Sequence, residues 1–550
     1  MGKYFVPAVG LVVLCSVLAL ATASGAPDTI TVDSTTDVLD ALPLCTNVTI
    51  GSLPGPDGVT SLREGICAAN KNPGPDTIEF DIPTSDPGYQ VSGVSGTWTI
   101  SLTAWLPALS GGGTVISGTT QAVNAGVSNP NGPEIEITGS VSTGNCLGIS
   151  SADNVIHGLA INRCPGSGVS ISFDASTAGN TISGNYIGTD PSGQFDWGNG
   201  GTGVYIGSGA HDNVIGGDTP GERNVISGND NYGVQINHSG TDGNVVSGNY
   251  IGTDAAGTQD LGNSWDGIGV FGGAQNNVMG GDTAGQRNLI SGNGGHGVRI
   301  VGSGTMTNTI SGNYIGTDVS GTQDLGNSGH GVGIVSSASR NVVGGGTSGE
   351  RNIISGNDWY GVQISGSGTM TNTISGNCIG TDVSGTQDLG NSRDGVRIES
   401  QARHNTVGPD NVIWANDSSG VRVLGDGTDY NKVTHNSIYN NTELGIALQS
   451  LANEEIATPV ISTASCTSAS GSDAPANGTV ELFTGPDDEG KSYLTSVVAD
   501  GSGNWSASGI LAKGFYLTAT ATDLSGNTSE FSAPASGCER TYVPLAMKRY

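Results

Sequence analysis

Charged residues make up only 12% of the 550-residue chain and aromatic residues only 5%. Lysine and arginine together number 19 against 49 aspartates and glutamates, a formal net charge of −30. Such a surface repels phosphate backbones, which argues against nucleic acid as a partner and leaves cations and sugars. Cysteine is sparse, with eight residues. Long apolar runs are missing as well. Beyond an N-terminal leader nothing reaches the ~18 consecutive apolar residues that cross a bilayer, so no transmembrane helix is expected after the leader is cleaved. What the chain does have is glycine, 92 residues of it, mixed with Asn and with regularly placed Val and Ile. Regular aliphatics separate this composition from disorder and indicate short strands joined by many turns.

The leader consists of Lys3, a mostly apolar stretch from Val9 to Leu20, and Ala21-Thr22-Ala23 before Ser24. This pattern is that of an export signal over residues 1–23, and it predicts a secreted or cell-surface protein. Export permits disulfides. Seven cysteines follow the leader, and position pairs Cys45 with Cys67, Cys146 with Cys164, and Cys466 with Cys538. Cys378 is left over. It stands where Tyr186, Tyr250 and Tyr314 stand in the preceding repeats, which predicts a buried thiol filling a tyrosine site.

The repeat is the dominant feature. NYIGTDVSGTQDLGNS occupies Asn313 to Ser328 and recurs from Asn377 to Ser392, with Tyr314 changed to Cys378 as the only difference. Earlier versions begin at Asn185 and Asn249, so successive copies start 64 residues apart. A second pattern, Gly-aliphatic-x-aliphatic, runs from GVSI at Gly168 through GVRI at Gly297 to GIAL at Gly445. Its gaps alternate between 30 and 34 residues through the middle and end at 25. Apolar residues at i and i+2 have the strand period, and Gly and Asn tolerate the left-handed backbone of sharp turns. A coil of 25 residues at about 3.3 Å each has a perimeter of ~80 Å, room for three short strands and three corners. The expected fold is all-β: a right-handed parallel β-helix over residues 77–456, with 64-residue double-coil repeats from about 180 to 400.

Energetics require the repetition. A coil buries roughly five aliphatics at ~1.5–3 kcal/mol each, while ordering its backbone costs on the order of 1–2 kcal/mol per residue. A lone coil cannot fold, but stacked coils share ladder bonds and apolar surface. Asn224, Asn288 and Asn352 recur at one position, which predicts a column of side-chain amides bonded along the stack.

Open ends of a β-helix expose sheet edges and core. SLREGICAAN from Ser61 to Asn70 places Glu64 three residues after Ser61, a capping box, with Leu62, Ile66 and Ala69 on one helical face. Residues 24–76 are therefore expected to form an N-terminal cap. Past the repeat, VELF, SYLTSVV and FYLTATATD predict a small β-sandwich over residues 457–538, followed by a tail over residues 539–550.

These segments carry a resemblance. SLREGICAANKNPGPDTIEFDIP is similar to the N-terminal segment of exported bacterial parallel β-helix proteins with a CSLREA-type motif, with Thr60 where that family has Cys. GTTQ, GNYIGTD and ERNVISGN resemble the same family, and TATDLSGNTSEFS resembles its Ig-like C-terminal module. The resemblance implies a bacterial secreted or surface protein and supplies no agreed catalytic residues.

Candidate chemistry falls in two places. The residue before each GVxI strand varies from coil to coil: Tyr232, Asp266, His296, His330, Tyr360, Asp394. The residue before that reads Asn231, Trp265, Gly295, Gly329, Trp359, Arg393. Variation on a constant scaffold is where function concentrates. Tyr232, Trp265, Trp359 and Tyr360 suit stacking on sugar rings, and Asp266 and Asp394 suit accepting hydroxyls. Asp266 and His296, at this position in successive coils, are the acid–base candidates of the column. The second place is the repeated phrase, where Asp254 and Asp260, Asp318 and Asp324, and Asp382 and Asp388 offer oxygen ligands for Ca²⁺. Equivalent insertions are expected two coils apart, about 9.6 Å, too far for neighbouring repeats to share an ion. The expected function is a glycan-directed binding, adhesion or envelope scaffold, with extracellular polysaccharide or the cell envelope as partner. The alternative is a pectin-lyase-like polysaccharide lyase or hydrolase, to which GHG at His296 and His330 bears a likeness. Near-identical coils through the middle favour the scaffold.

Overall fold

The computed structural model describes residues 27–42, 44–90, 96–139, 144–465, 467–486, 488–509 and 516–536. The leader, the Cys466–Cys538 pair and the tail lie outside those residues. Three long parallel sheets, of 13, 12 and 11 strands, run the length of the repeat region. Each coil gives one strand to each sheet in turn, as in Thr181–Ser183, Tyr186–Ile187 and Val204–Gly207. Consecutive coils pair in register, for example Val234 with Ile268 and Ile236 with Val270 in sheet 3. This is a parallel β-helix. The inward residues Ile182, Ile187, Val204 and Ile206 are fully buried and belong to one core that runs through the stack.

The long insertions alternate between two corners. In one coil the segment between Ile187 and Val204 links sheets 2 and 3; in the next, the segment between Gly216 and Val225 links sheets 1 and 2. The repeated phrase is thus a sheet 2 strand plus the corner that follows it. Its corner folds back over the outer face of sheet 2, where Tyr250, Leu289, Tyr314, Ile353 and Cys378 form a second buried cluster. The lone thiol of Cys378 is buried there. The corners also touch: the Ala255, Val319 and Val383 N–H groups donate to the Gly193, Gly257 and Gly321 carbonyls at 2.9, 2.9 and 3.0 Å. The expected separation of neighbouring insertions is therefore corrected, because the corners lean along the stack and strand spacing does not set their distance.

The expected Asn column exists and is one of three. Asn185, Asn224, Asn249, Asn288, Asn313, Asn352 and Asn377 follow one another before sheet 2, each donating its N–H and Nδ2 to the next Oδ1. A second column, from Asn154 through Asn277 to Asn453, precedes sheet 1. A third, from Asn199 through Asn327 to Asn441, precedes sheet 3. Asn fits because it both donates and accepts, so one residue type propagates a chain of bonds through corners where sheet ladders cannot reach.

At the N-terminal end the helix α1 (Leu62–Lys71) starts at Ser61, whose side chain accepts from the Glu64 N–H while Glu64 bonds back. It packs against Asp28–Val32 and Asp76–Phe80, and Leu62, Ile66 and Ala69 enter the main core. Parallel pairing begins at Asp28–Val32, inside the segment assigned to the cap from sequence. Cys45–Cys67 and Cys146–Cys164 are disulfides. At the other end, antiparallel sheets of three and four strands share a core that includes Trp505, Ala507, Leu482 and Leu517. Side chains from this region meet the last coils: Asn441 N–H donates to Glu489, His435 N–H to Glu481, Val433 N–H to Thr528 and Tyr430 N–H to Asn527. The C-terminal region thereby terminates the β-helix, supplying acceptors where the next coil would have done so.

Candidate functional site: the outer face of sheet 3

Sheet 3 carries the GVxI strands. The two aliphatics point inward and the x residue points out. The residue before the glycine lies ahead of the strand, and Tyr232 meets the Phe271 ring outside the sheet at 5.3 Å. In-register pairing aligns the x residues Gln235, Gly269, Arg299, Gly333, Gln363, Arg397 and Arg422 in one column. Beside it runs the variable column. His296 and His330 stack at 4.6 Å with planes 9° apart, and Tyr360 continues the stack on His330 at 4.9 Å. Trp265 sets its edge against Tyr232 at 5.3 Å, and Trp359 against His330 at 5.8 Å.

Burial divides these residues. Tyr232, Asp266, His330 and Asp394 are buried, whereas Trp265 and Trp359 are 52% and 44% exposed. Three coils separate the two tryptophans, ~14 Å at the sheet spacing. The two coils between them carry Gly295 and Gly329 at the tryptophan position and Gly333 in the adjacent column. A Cβ placed on Gly333 would have no atom nearer than 3.9 Å. The result is a trough walled by two indoles, with the stacked imidazoles and Arg299 at its floor.

The buried members of the variable column have a shared structural task. Asp266 Oδ1 accepts the His296 N–H at 2.7 Å, His296 Nδ1 the His330 N–H at 2.9 Å, and His330 Nδ1 the Tyr360 N–H at 3.3 Å. Asp394 Oδ1 likewise accepts the Ser419 N–H at 3.0 Å. Each side chain caps the backbone of the next coil. Asp266 therefore meets His296 through the main chain and not through the imidazole. Accepting at Nδ1 puts the ring proton of each histidine on Nε2. Burial lowers the His296 pKa and drives His330 down to about 3, so both rings are neutral at pH 7. Burial also raises Asp266, against the N–H of His296 and the charge of Arg299.

Asp394 and Asp266 differ in what remains free. Asp394 is held by Arg397 at 3.2 Å and Arg422 at 3.0 Å, in a network that reaches Glu399 and Glu443. Both of its oxygens are occupied. Asp266 Oδ2 is buried with no hydrogen bond, and Arg299 Nη1 is 3.9 Å away. The Arg299 Nε is also without a partner. Sequence reasoning passed over Arg299, Gln363 and Arg397, although the outward x position of GVxI marks each of them.

The metal candidates are arranged for a different task. Asp254 Oδ1 accepts the N–H groups of Thr258 and Gln259; Asp318 and Asp382 do the same in their loops. Asp260, Asp324 and Asp388 each accept the N–H two residues on. Among the described residues, no three His, Cys, Asp or Glu side chains converge as metal ligands.

No family model and no curated protein matches the chain. Among solved structures it is similar to full-length tailspike protein 2 from the Escherichia coli O157:H7 bacteriophage CAB120, at 12% identity and a TM-score of 0.30. That match covers 88% of this chain, which spans only 66% of the tailspike's length. It is also similar to the enzymatically active domain of bacteriophage CBA120 tailspike protein 2, at 13% identity and a TM-score of 0.26, covering 86% of this chain and 74% of that one. The parallel β-helix stands on the three sheets and their register, not on these likenesses.

Proposed function

We propose that this is an exported, surface-displayed β-helix scaffold that binds a glycan in the trough between Trp265 and Trp359. Under this reading α1 is the N-terminal cap, the C-terminal sheets form an Ig-like module, and the helix winds right-handed. One observation carries the binding assignment. Two exposed indoles bracket two coils that carry glycine at the indole position and open space at Gly333, and beside Trp265 the buried Asp266 Oδ2 has no hydrogen bond. Sugars present apolar ring faces and hydroxyl donors together, which is the chemistry these groups lack partners for. His296 and His330 form the floor, Tyr232 and Tyr360 brace the indoles and stack, and Asp394 locks the neighbouring arginines in place.

A glycan array probed with residues 24–550, followed by calorimetry on the best hits, tests this. Binding to an acidic or neutral oligosaccharide is expected, and Trp265→Ala or Trp359→Ala should each weaken it about tenfold, the cost of losing a central aromatic contact. Unchanged affinity in both variants refutes the trough. A parallel assay for new reducing ends and unsaturated products must stay flat; product release from any polysaccharide replaces the scaffold with an enzyme.

A further inference from the structure

The single residue that separates the two near-identical phrases points to a second site, at the corner between sheets 1 and 2. In the preceding repeats an arginine covers the phrase tyrosine: Arg223 lies 4.2 Å over the Tyr250 ring and Arg287 lies 4.1 Å over Tyr314. Both arginines are half-buried. Arg351 keeps the same anchor, Nε to a glycine carbonyl, here Gly376 at 3.1 Å. The ring beneath it is replaced by Cys378, and Arg351 is exposed. The corner glycine that the ring would meet loses its neighbour as well. Cβ atoms built on Gly193, Gly257 and Gly321 would meet Tyr186, Tyr250 and Tyr314, whereas nothing lies within 4 Å of that point on Gly385.

The corner loops change at the same level. The loops at 218–222, 282–286 and 346–350 stack closely, with Gly285 against the Asp218 carbonyl and Gly349 against that of Asp282. The corner two coils beyond the last of these loops, between Val407 and Val412, has no such loop. The loop stack therefore ends at 346–350, before the last coils, and a cavity of about 430 Å³ opens beside it. Thr347, Ser348, Arg351, Asp410, His435 and Tyr493 are among the residues that line it. The His435 and Tyr493 rings meet edge to face at 4.2 Å.

We propose that this cavity binds an acidic sugar unit, with the Arg351 guanidinium pairing its carboxylate. The Tyr493 ring, 37% exposed, packs against the pyranose face. Asp410 accepts ring hydroxyls, and the Thr347 and Ser348 hydroxyls complete the set. Arg351 makes no ion pair among the described residues and is exposed, unlike the ring-covered Arg223 and Arg287, which suits an anionic ligand. This site is separate from the sheet 3 trough, on a different corner of the coil.

Calorimetry with residues 24–550 uses galacturonic and glucuronic acid, galactose and glucose as neutral counterparts, and inorganic phosphate. At least one uronic acid should bind, about tenfold or more tighter than its neutral counterpart. Arg351→Met should remove that preference. Cys378→Tyr restores the residue of the other repeats and returns a ring to Arg351, so it should weaken uronate binding about tenfold with the melting temperature retained. Trp265→Ala should leave uronate binding unchanged, which keeps this test independent of the trough. Equal affinity for acid and neutral sugar, undiminished binding in Cys378→Tyr, binding of phosphate alone, or no binding of any of these compounds overturns the proposal.

Discussion

Replacing Asn288 by Ala removes one link from the middle of the column before sheet 2. Asn288 is fully buried. Its Oδ1 accepts from Asn249 N at 3.0 Å and Asn249 Nδ2 at 3.1 Å, and its Nδ2 donates to the Val246 carbonyl at 2.8 Å. The substitution leaves the Asn249 N–H without an acceptor in the dry corner and removes two further bonds, although Asn249 Nδ2 keeps the Ile215 and Ser247 carbonyls at 2.8 and 3.0 Å. A buried unsatisfied group costs about 1–3 kcal/mol and each further lost bond about 0.5–1.5, so with partial relaxation the loss is about 2–4 kcal/mol. That is a sizeable fraction of the stability of a typical domain, and a solenoid localises the damage to adjacent coils. Asn288→Asp keeps the shape and the acceptor but turns a donor toward Val246 O and Asn313 Oδ1 into a third acceptor, so it should cost at least as much as Ala. Urea unfolding measures both variants, with the exposed Gln259→Ala as a control expected within about 0.5 kcal/mol of the parent. Hydrogen exchange should show the Asn249 amide losing protection first. A loss below ~1 kcal/mol for Asn288→Ala, at unchanged denaturant slope, refutes the idea that the amide columns hold the corners together.

Three further outcomes are expected. The His330 pKa is depressed from 6.5 to about 3 by burial, so the unfolded chain binds this proton more tightly. Its contribution is complete above pH 6.5 and is lost as pH falls toward 3, at ~1.4 kcal/mol per pH unit. His330→Gln keeps an acceptor for the Tyr360 N–H and should flatten that loss by about 2–3 kcal/mol between pH 6.5 and 4.5; parallel stability curves for the two proteins contradict it. Millimolar calcium should leave the melting temperature of the apo protein unshifted, because the loop carboxylates are spent on their own backbone N–H groups. A rise of several degrees restores Ca²⁺ as a ligand of those loops. Glu481→Ala strips the acceptor from the Thr434 hydroxyl and the His435 N–H at the end of the stack. A loss of about 2–4 kcal/mol in urea unfolding is expected, and a neutral effect argues against the C-terminal region as a terminator.

Much of the fold was legible because it is periodic. GVxI at intervals near 30 residues specifies strand, inward face and stacking at once, and the Asn before ISGN marked one amide column. The third column was equally present in the repeats and was missed, since it alternates between the last Asn of ISGN and the Asn of LGNS, as in Asn293 and Asn327. The sheet 1 column, with Asn277, Asn308 and Asn341, has neighbours that change from coil to coil. The candidate site was half legible. Variation located the column of Tyr232, Asp266, His296 and His330, but variation does not reveal that most of these side chains cap the next coil.

The sequence by itself determined the strand period, the two-coil repeat, the helix at Ser61 and the neighbouring-cysteine disulfides, since each rests on spacing along the chain. Tertiary structure alone decided which groups are left over. Asp394 and Asp266 occupy equivalent positions, yet one is enclosed by two arginines and the other keeps a bare oxygen. Arg351 and Arg287 sit in the same phrase, yet one is covered by a ring and the other is not. Stacking brings together residues 25 to 39 positions apart, and the partner supplied by the next coil fixes whether a repeated residue is scaffold or free to bind.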